Sequence, residues 1–375
     1  MKFFVSGQEV VQKYYKSFQP NLINKNWIFN NMEVIQLLSK ADRHIGRLDM
    51  YSEYVNIDLF IRMHIAKEAT QSSKIEGTQT NMEEAFLKKE EIAFEKRDDW
   101  EEVQNYISAM NEAVKLLHTL PFSSRLIKQT HKILLQGVRG EHKLPGEYRT
   151  SQNWIGGASI NDAVFIPPIH NTINELISDL EHFANDELNP LPDLVKIAII
   201  HYQFETIHPF LDGNGRVGRL LITLYLVSKG VLKQPILYLS DFFERNRTLY
   251  YDNLMRVRTH NDMNQWLKFF LTGVIETSKK GVATFDGILQ LQKVLEEKLK
   301  TLGNRNVDAR KIINYLYSQP IIGVHKVEEL IEKSSVTSYK LLADLEKLDI
   351  IKEISGAQRN RLYVFKDYIG LFNND

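Results

Sequence analysis

Residues 208–219 bring together side chains that could act on a phosphorylated substrate, and they read HPFLDGNGRVGR. Glycines at the start of a helix let the backbone amides turn inward and form a concave anion site, to which the positive end of the helix dipole adds. The apolar run that follows, residues 220–227, predicts such a helix. We therefore expect phosphate groups to bind near residues 213–215.

The charged side chains of this segment suit a nucleoside triphosphate. Arg216 and Arg219 lie three positions apart on the predicted helix, so their guanidinium groups could grip separate phosphates. Asp212 is a hard oxygen ligand for Mg²⁺ already held by phosphates, and His208 can take a proton near neutral pH. Such a set could activate a hydroxyl against phosphorus. The alternative, surface salt bridges at a glycine-rich helix start, is disfavoured by the number of specified positions.

Residues 208–219 resemble the Fic motif, HxFx(D/E)GNGRxxR, at every specified position. The resemblance implies a mainly α fold with a helical core and a β-hairpin flap. It also implies an enzyme that transfers AMP from ATP to a Ser, Thr or Tyr hydroxyl of target proteins and of the enzyme itself. It implies His208 as the general base, Asp212 as the Mg²⁺ ligand and Arg219 on the γ-phosphate. The implied ATP ligands are Gly213, Asn214, Gly215, Arg216, Val217, Gly218, Arg219 and Tyr251.

Other segments extend the resemblance over roughly residues 50–275. Residues 146–149, GEYR, are followed by a predicted hairpin at about 154–167, and together they resemble the lead-in and flap of the family. The resemblance implies that a target protein binds along this hairpin as an added strand.

Two tyrosines fall where family members place aromatic rings against adenine. Of Tyr250 and Tyr251, we favour Tyr251 for the nucleotide, whereas packing in the core is as plausible for one of the pair. Some relatives have an asparagine seven residues beyond the second tyrosine, where this chain has Arg258.

Residues 72–77, SSKIEG, resemble the inhibitory motif of the family, (S/T)xxxE(G/N), which here precedes the core. A carboxylate in the last turn of a helix faces the negative end of the dipole and is disfavoured by up to ~1 kcal/mol, so Glu76 should seek a cation. Arg219 is the natural partner, and the pair would deny the γ-phosphate its arginine. We therefore expect Ser72 and Glu76 to inhibit transfer by misplacing the phosphates. A solvated helix end is the alternative for Glu76.

Helical periodicity predicts the elements that position these residues. Apolar residues at four-residue spacing predict a helix over 57–76, which Gly77 stops. The Gly156–Gly157 pair, between two short strand-like runs, predicts the β-hairpin. The other predicted helices span about 99–118, 123–136, 170–185, 191–206, 215–229 and 246–258.

The chain divides into an N-terminal helical region with the inhibitory helix (1–115), a Fic core (116–275), a linker helix with an apolar stripe (276–304) and a small winged helix-turn-helix domain (305–375). The last segment has predicted helices at about 307–318, 325–332 and 336–348, followed by two short strands. Its nearly balanced charge leaves DNA binding uncertain, and protein contact or a homodimer is at least as well supported.

Composition excludes several other classes of protein. Equal numbers of basic and acidic residues, 47 of each, give no global field for nucleic acid. The absence of cysteine excludes disulfides and thiolate catalysis, and the 11 histidines include no HExxH zinc pattern. The residues after Lys2 lack the apolar stretch of a signal peptide. No apolar run approaches the length of ~20 residues that is needed to span a membrane. We expect a cytoplasmic protein without membrane contact.

Two other functions are compatible with the same residues. The site could remove AMP from modified proteins, with Glu76 positioning a water molecule. Alternatively, the Fic fold could only sense a nucleotide for a DNA-binding regulator, although a sensor would not require His208.

Overall fold

The computed structural model describes residues 4–54 and 57–373, which form the mainly α-helical fold that the periodicity predicts. Lys2, where the sequence predicts no signal peptide, lies outside the described residues. Short parts of the predicted segments 1–115 and 305–375 also lie outside them. The helices are α1 (Met32–Tyr54), α2 (Ile61–Ile75), α3 (Arg97–Leu116), α4 (Ser124–Leu134), α5 (Ile173–Asn185), α6 (Asp193–Ile207), α7 (Asn214–Ser228), α8 (Ser240–Arg245), α9 (Arg247–His260), α10 (Met263–Lys300), α11 (Asn306–Ser318), α12 (Val324–Ile331), α13 (Ser335–Lys347) and α14 (Lys366–Asn373). Within the described ranges, a helix able to span a membrane is absent.

Two small antiparallel sheets complete the fold. The strands are β1 (Gly7–Val11), β2 (Lys16–Pro20), β3 (Ile321–Gly323), β4 (Lys352–Glu353) and β5 (Leu362–Val364). β1 pairs with β2, and the second sheet has the order β3-β5-β4. The β1–β2 hairpin was not predicted, because β1 reads GQEVV and lacks the regular alternation of a half-buried strand.

Helices α6 and α7 form the centre of the core because neither has a polar face. Every residue of α6 from Leu194 to Ile207 is buried, as is α7 from Arg216 to Leu226. Helices α2, α3, α4, α5 and α10 surround this pair. The connecting loop, residues 208–213, is thus held between two buried helices, and this arrangement fixes the motif in space.

The segment predicted as a hairpin folds back on itself but forms little regular sheet. Only one antiparallel bridge, Ile155 to Phe165, closes it within the described residues. Gly156 and Gly157 both have positive φ and turn the chain tightly, while the proline pair 167–168 has no N–H to extend the ladder. Phe18 of β2 donates its N–H to the carbonyl of Ile166 at 2.9 Å, so the N-terminal hairpin supports this flap.

The predicted linker helix is part of a longer element. α10 runs without interruption across the predicted boundary at 275–276, and it packs along α1 on one side and against α11 and α14 beyond it. Four residues of the predicted apolar stripe, Ile288, Leu295, Leu299 and Leu302, are buried. The division into four domains therefore stays a prediction.

The three predicted helices and the two strands after them are present in the predicted order, and β3 and α14 are unpredicted additions. These C-terminal elements pack against α2, the helix that leads to Glu76. Phe60, just before α2, contacts Tyr317 and Tyr368 with ring centroids 5.2 and 6.3 Å apart. Lys67 of α2 donates to the carbonyl of Phe372 at 2.6 Å. Assignment of this region as a winged helix stays a prediction.

Candidate active site

The loop between α6 and α7 begins at His208, which ends α6 in a left-handed conformation with φ 50°. Its N–H still bonds the carbonyl of Phe204 at 2.9 Å, so the backbone turns sharply only after the last helical bond. A non-glycine residue in this region is uncommon and is kept only where the surroundings fix it. The turn places the half-buried His208 ring on the wall of a cavity.

Arg149, from the predicted lead-in to the flap, holds this turn in place. Its guanidinium is buried and donates to the carbonyls of His208 (3.0 Å), Ser151 (3.0 Å) and Pro168 (2.5 Å). Burial lowers the pKa of Arg149 to about 10, still far above neutral pH. A cation at the C-terminus of α6 also suits the helix dipole. The sequence identified Arg149 only as part of a matching tetrapeptide, because its partners are backbone carbonyls.

We expect Arg149→Met to destabilise the protein by about 3 kcal/mol, since several buried carbonyls would lose their donors at once. Urea unfolding followed by circular dichroism measures the change. Arg125→Met, at an exposed arginine on α4, is the matched control and should change stability little. Equal stability of the two variants would contradict the role of Arg149.

The Asn214 side chain forms hydrogen bonds within the loop. Its side-chain amide accepts a hydrogen bond from the N–H of Phe210 and donates one to the carbonyl of Phe210, both at 2.8 Å. The Phe210 ring stacks on His131 at 3.6 Å, and His131 in turn lies 3.0 Å from the carbonyl of Asp212. The Asn214 side chain is thus occupied by the loop, and only its backbone amide is left for the predicted phosphate.

The start of α7 has the geometry of the predicted anion site. Gly213 has φ 75° and lets the chain turn into the helix, where the first-turn amides lack intrahelical partners. The N–H of Val217 already bonds the carbonyl of Gly213 at 3.0 Å, and the Val217 side chain is fully buried. The amide and the side chain of Val217 are thus already used within the fold, and its assignment as an ATP ligand stays a prediction. The backbone amides that could bind phosphate are therefore those of residues 214–216, which we call the amide cradle.

Asp212 and Arg216 lie at the mouth of this cradle. The Asp212 carboxylate accepts the N–H of Gly213 at 2.6 Å and is 3.7 Å from the Arg216 guanidinium. Arg216 is buried and is held by Glu102 of α3 at 3.0 Å. Sequence reasoning missed Glu102, since an acidic residue on an amphipathic helix is indistinguishable from a solvated one. Among the described residues, no cluster of three or more His, Cys, Asp or Glu side chains could hold a metal ion by itself.

The predicted pair between Glu76 and Arg219 is formed. The Arg219 guanidinium donates to the Glu76 carboxylate at 2.6 Å, and it donates to the hydroxyl and the carbonyl of Ser72 at 2.9 Å each. Gly215 makes the approach possible, because a Cβ there would lie 2.4 Å from a Glu76 carboxylate oxygen. α2 ends at Ile75 and Gly77 has φ 104°, close to the predicted stop.

The protonation states of the two central residues follow from their surroundings. Burial lowers the pKa of His208 to about 3, so its imidazole is neutral at physiological pH. Desolvation alone would raise the pKa of Glu76, but the Arg219 guanidinium outweighs it and the pKa is lowered. The site at neutral pH therefore contains a proton acceptor, His208, and an ionised carboxylate, Glu76, paired with Arg219.

The two tyrosines separate into different roles. Tyr250 is buried, and its hydroxyl lies 2.8 Å from Nε2 of His201, whose Nδ1 lies 2.9 Å from the carbonyl of Gly218. Tyr251 is 42% exposed and lines the cavity together with His208 and Arg219. Tyr250 also lines this cavity although it is buried, so the preference for Tyr251 stays a prediction.

The cavity has a volume of ≈ 560 Å³ and extends from Glu76 and Arg219 to the flap. Arg258, where some relatives have asparagine, lies on its wall with the guanidinium 3.8 Å from the centroid of the Phe165 ring. Val164 and Met255 add apolar surface. A cavity with an arginine at one end and apolar walls at the other has a shape that suits a nucleotide.

Comparison with known families is consistent with this site. Residues 35–115 match the family model described as Fic/DOC family N-terminal, and residues 121–226 match the Fic/DOC family model. A crystal structure of a Fic family protein from Desulfovibrio desulfuricans superposes with a TM-score of 0.58 at 18% identity, covering 91% of this chain and 98% of that one. At this identity the likeness establishes the shared fold.

Curated relatives match more locally. The probable protein adenylyltransferase of Aquifex aeolicus is 29% identical over 189 residues, which cover 45% of this chain and 56% of that protein. The protein adenylyltransferase Fic of Drosophila mojavensis is 26% identical over 281 residues, covering 69% of this chain and 51% of the relative. The chain thus spans about half the length of these two relatives.

Proposed function

Because the chain belongs to the Fic/DOC family, we propose that it transfers AMP from ATP to a hydroxyl side chain of a target protein, and that Glu76 inhibits this transfer. One observation carries the proposal: a neutral His208 and the arginine Arg219 face the same cavity. The names of the relatives from Aquifex and Drosophila, both protein adenylyltransferases, support it.

ATP would bind with its phosphates at the start of α7 and its base toward Tyr251. The first-turn amides of residues 214–216 and the positive helix end attract the phosphate oxygens. Arg216, held by Glu102, adds a fixed positive charge beside them. Arg219 would hold the γ-phosphate once Glu76 releases it, since a guanidinium binds phosphate oxygens in two parallel hydrogen bonds.

The Asp212 side chain fits Mg²⁺ brought by the nucleotide. Mg²⁺ usually binds through one or two carboxylates together with substrate phosphates and water, so a single carboxylate beside an amide cradle is a suitable donor set. The Asp212 side chain is 42% exposed and can reach a bound metal from the loop. When bound, the ion would offset the charge that develops on the leaving phosphates.

His208 would act as the general base. Its imidazole is neutral at pH 7, because burial lowers its pKa to about 3, and can accept the proton of a target hydroxyl. The hydroxyl oxygen then forms a bond to the α-phosphorus while the bond from that phosphorus to the bridging oxygen breaks, and pyrophosphate leaves. Arg149 fixes the backbone of His208 and thereby the direction of its ring.

The flap would align the target. Trp154 and Val164 are exposed large apolar residues on either side of the Ile155–Phe165 bridge. An extended target segment could pair with this short ladder through backbone hydrogen bonds, leaving one hydroxyl side chain directed toward His208. Specificity would then depend on which side chains fit beside Trp154 and Val164.

Labelled ATP distinguishes this reaction from the alternatives. We expect the full chain with Glu76→Gly to acquire label from ATP marked at the α-phosphorus, on itself or on proteins of an extract, and none from ATP marked at the γ-phosphorus. Label from the γ-position would instead indicate phosphate transfer. If neither label enters protein, removal of AMP from a previously adenylylated protein becomes the reaction to test.

A further inference from the structure

Glu205 is a charged residue of the cavity to which the proposed reaction gives no role. It lies one helical turn before His208 on α6 and lines the same cavity. The residue is only 6% exposed, and its Oε1 has no hydrogen-bond partner in the part of the chain that the structure describes. A buried carboxyl oxygen without a partner is costly, so its presence at a residue that lines a cavity points to a ligand.

The opposite helix makes room for this carboxyl group. A Cβ added to Gly218 of α7 would lie 2.2 Å from Oε1 of Glu205, closer than any real contact. Any larger residue at position 218 would therefore displace the carboxyl group. The requirement for glycine here is spatial, and it preserves the position of the Glu205 side chain.

The two nearby arginines do not pair with the Glu205 carboxyl group. Arg219 directs its Nε and Nη2 to Ser72 and Glu76. Arg258 donates to the backbone carbonyl of Glu205 at 3.1 Å and to the hydroxyl of Thr206, while its guanidinium lies over Phe165. Burial raises the pKa of Glu205 to about 7, against the effect of Arg219. Oε1 of Glu205 is thus a hydrogen-bonding atom without a partner in the described ranges, on a residue that lines the cavity.

We propose that Glu205 selects adenine by accepting a hydrogen bond from its exocyclic amino group. This inference rests on the proposed binding of ATP, with the phosphates at α7 and the base between Tyr251 and the apolar wall formed by Val164, Leu254 and Met255. A buried carboxyl oxygen increases the affinity for a base that donates a hydrogen bond to it. It lowers the affinity for a base that leaves the oxygen unpaired. Guanine has a carbonyl oxygen where adenine has this amino group and would face Glu205 with an acceptor.

Equilibrium binding measurements test the proposal. The hydrogen bond is removed either by changing the nucleotide or by changing Glu205. The probes are ATP and purine riboside 5′-triphosphate, which lacks the 6-amino group, measured by calorimetry. The parent is the full chain with His208→Ala, so that turnover does not disturb the measurement. We expect ATP to bind this parent roughly tenfold or more tightly than the analogue. The same ratio is then measured for Glu205→Leu and Glu205→Gln in this background.

Glu205→Leu should abolish the preference for ATP, whereas Glu205→Gln should keep it because the glutamine side chain still presents a carbonyl acceptor. Equal affinities in the parent, or an unchanged ratio in the Leu variant, would overturn the proposal. Loss of the ratio in both variants would assign the effect to cavity shape and would overturn it as well. If the Leu variant does not fold, the parent and the Gln variant decide. Because no transfer is measured, this result is independent of whether AMP transfer occurs.

Discussion

His208→Ala is expected to reduce AMP transfer by about 10²–10⁴-fold, the usual contribution of a positioned general base. The reason is specific to this ring: burial lowers the pKa of His208 to about 3, so it is free to accept a proton at neutral pH. The measurement is the initial rate of protein labelling from ATP marked at the α-phosphorus, in the Glu76→Gly background. ATP affinity should change little, because the phosphates bind to α7 rather than to the imidazole.

The control for this variant is His142→Ala, at an exposed histidine outside the cavity. It should label as fast as the Glu76→Gly parent. A His208→Ala protein that labels at the parental rate would show that no base is needed at this position, and the proposed mechanism would be wrong. A loss of labelling that merely follows a loss of ATP binding would also contradict it.

Glu76→Gly is expected to raise the rate of AMP transfer by about 10²-fold, the scale of the loss that a small misplacement of reacting groups causes. The Glu76 carboxylate is held 2.6 Å from the Arg219 guanidinium, which the γ-phosphate needs. Removing the carboxylate frees Arg219, while the two remaining hydrogen bonds that the guanidinium donates to Ser72 still orient it. The increase is measured as the initial rate of labelling at saturating ATP.

Two further variants test whether the gain depends on the ion pair between Glu76 and Arg219. Glu90→Gly, at an exposed glutamate outside this helix, should leave the rate unchanged. Adding Arg219→Ala to Glu76→Gly should remove the gain, because the freed arginine would no longer be present. Inhibition through Arg219 would be refuted if Glu76→Gly were no faster than the wild type, or if the gain persisted without Arg219.

The parts of the site that could be predicted lie close together in the sequence or obey a simple electrostatic rule. Residues 208–219 form one loop and one helix start, so their mutual geometry is almost fixed by local backbone structure. The pairing of Glu76 with Arg219 follows from the dipole argument, since a carboxylate at a helix C-terminus needs a cation. Apolar periodicity placed α2 to α7 and α9 within a few residues of their observed bounds, whereas α1, α8 and the first part of α10 were not predicted.

The parts that could not be predicted depend on contacts between residues far apart in the chain. Glu102 holds Arg216 across 114 positions, and Arg149 binds carbonyls that leave no trace in side-chain patterns. The Asn214 side chain is occupied by a local contact instead, with the backbone of Phe210 four positions away, and its assignment as an ATP ligand stays a prediction. Glu205 carried no signal, since an acidic residue near a helix end is ordinary until its burial is known.

The packing of the C-terminal elements on α2 could not be predicted from the sequence either. The ring of His64 lies between Phe285 of α10 and Phe372 of α14, with centroids 4.8 and 4.9 Å away. Burial lowers the pKa of His64 to about 3, as suits a histidine enclosed by aromatic rings. These contacts stabilise the helix whose end carries Glu76, and they connect elements that the predicted domain boundaries had separated.

Intact-protein mass spectrometry tests the central claim most directly. Wild type, Glu76→Gly and Glu76→Gly/His208→Ala are incubated with ATP and Mg²⁺, alone and with a protein extract whose labelled products are also weighed. We predict added mass of one adenylyl group per modified hydroxyl, greatest for Glu76→Gly and absent for the double variant. Equal labelling of all three proteins, or no labelling of any protein, would contradict a histidine-dependent adenylyl transfer restrained by Glu76.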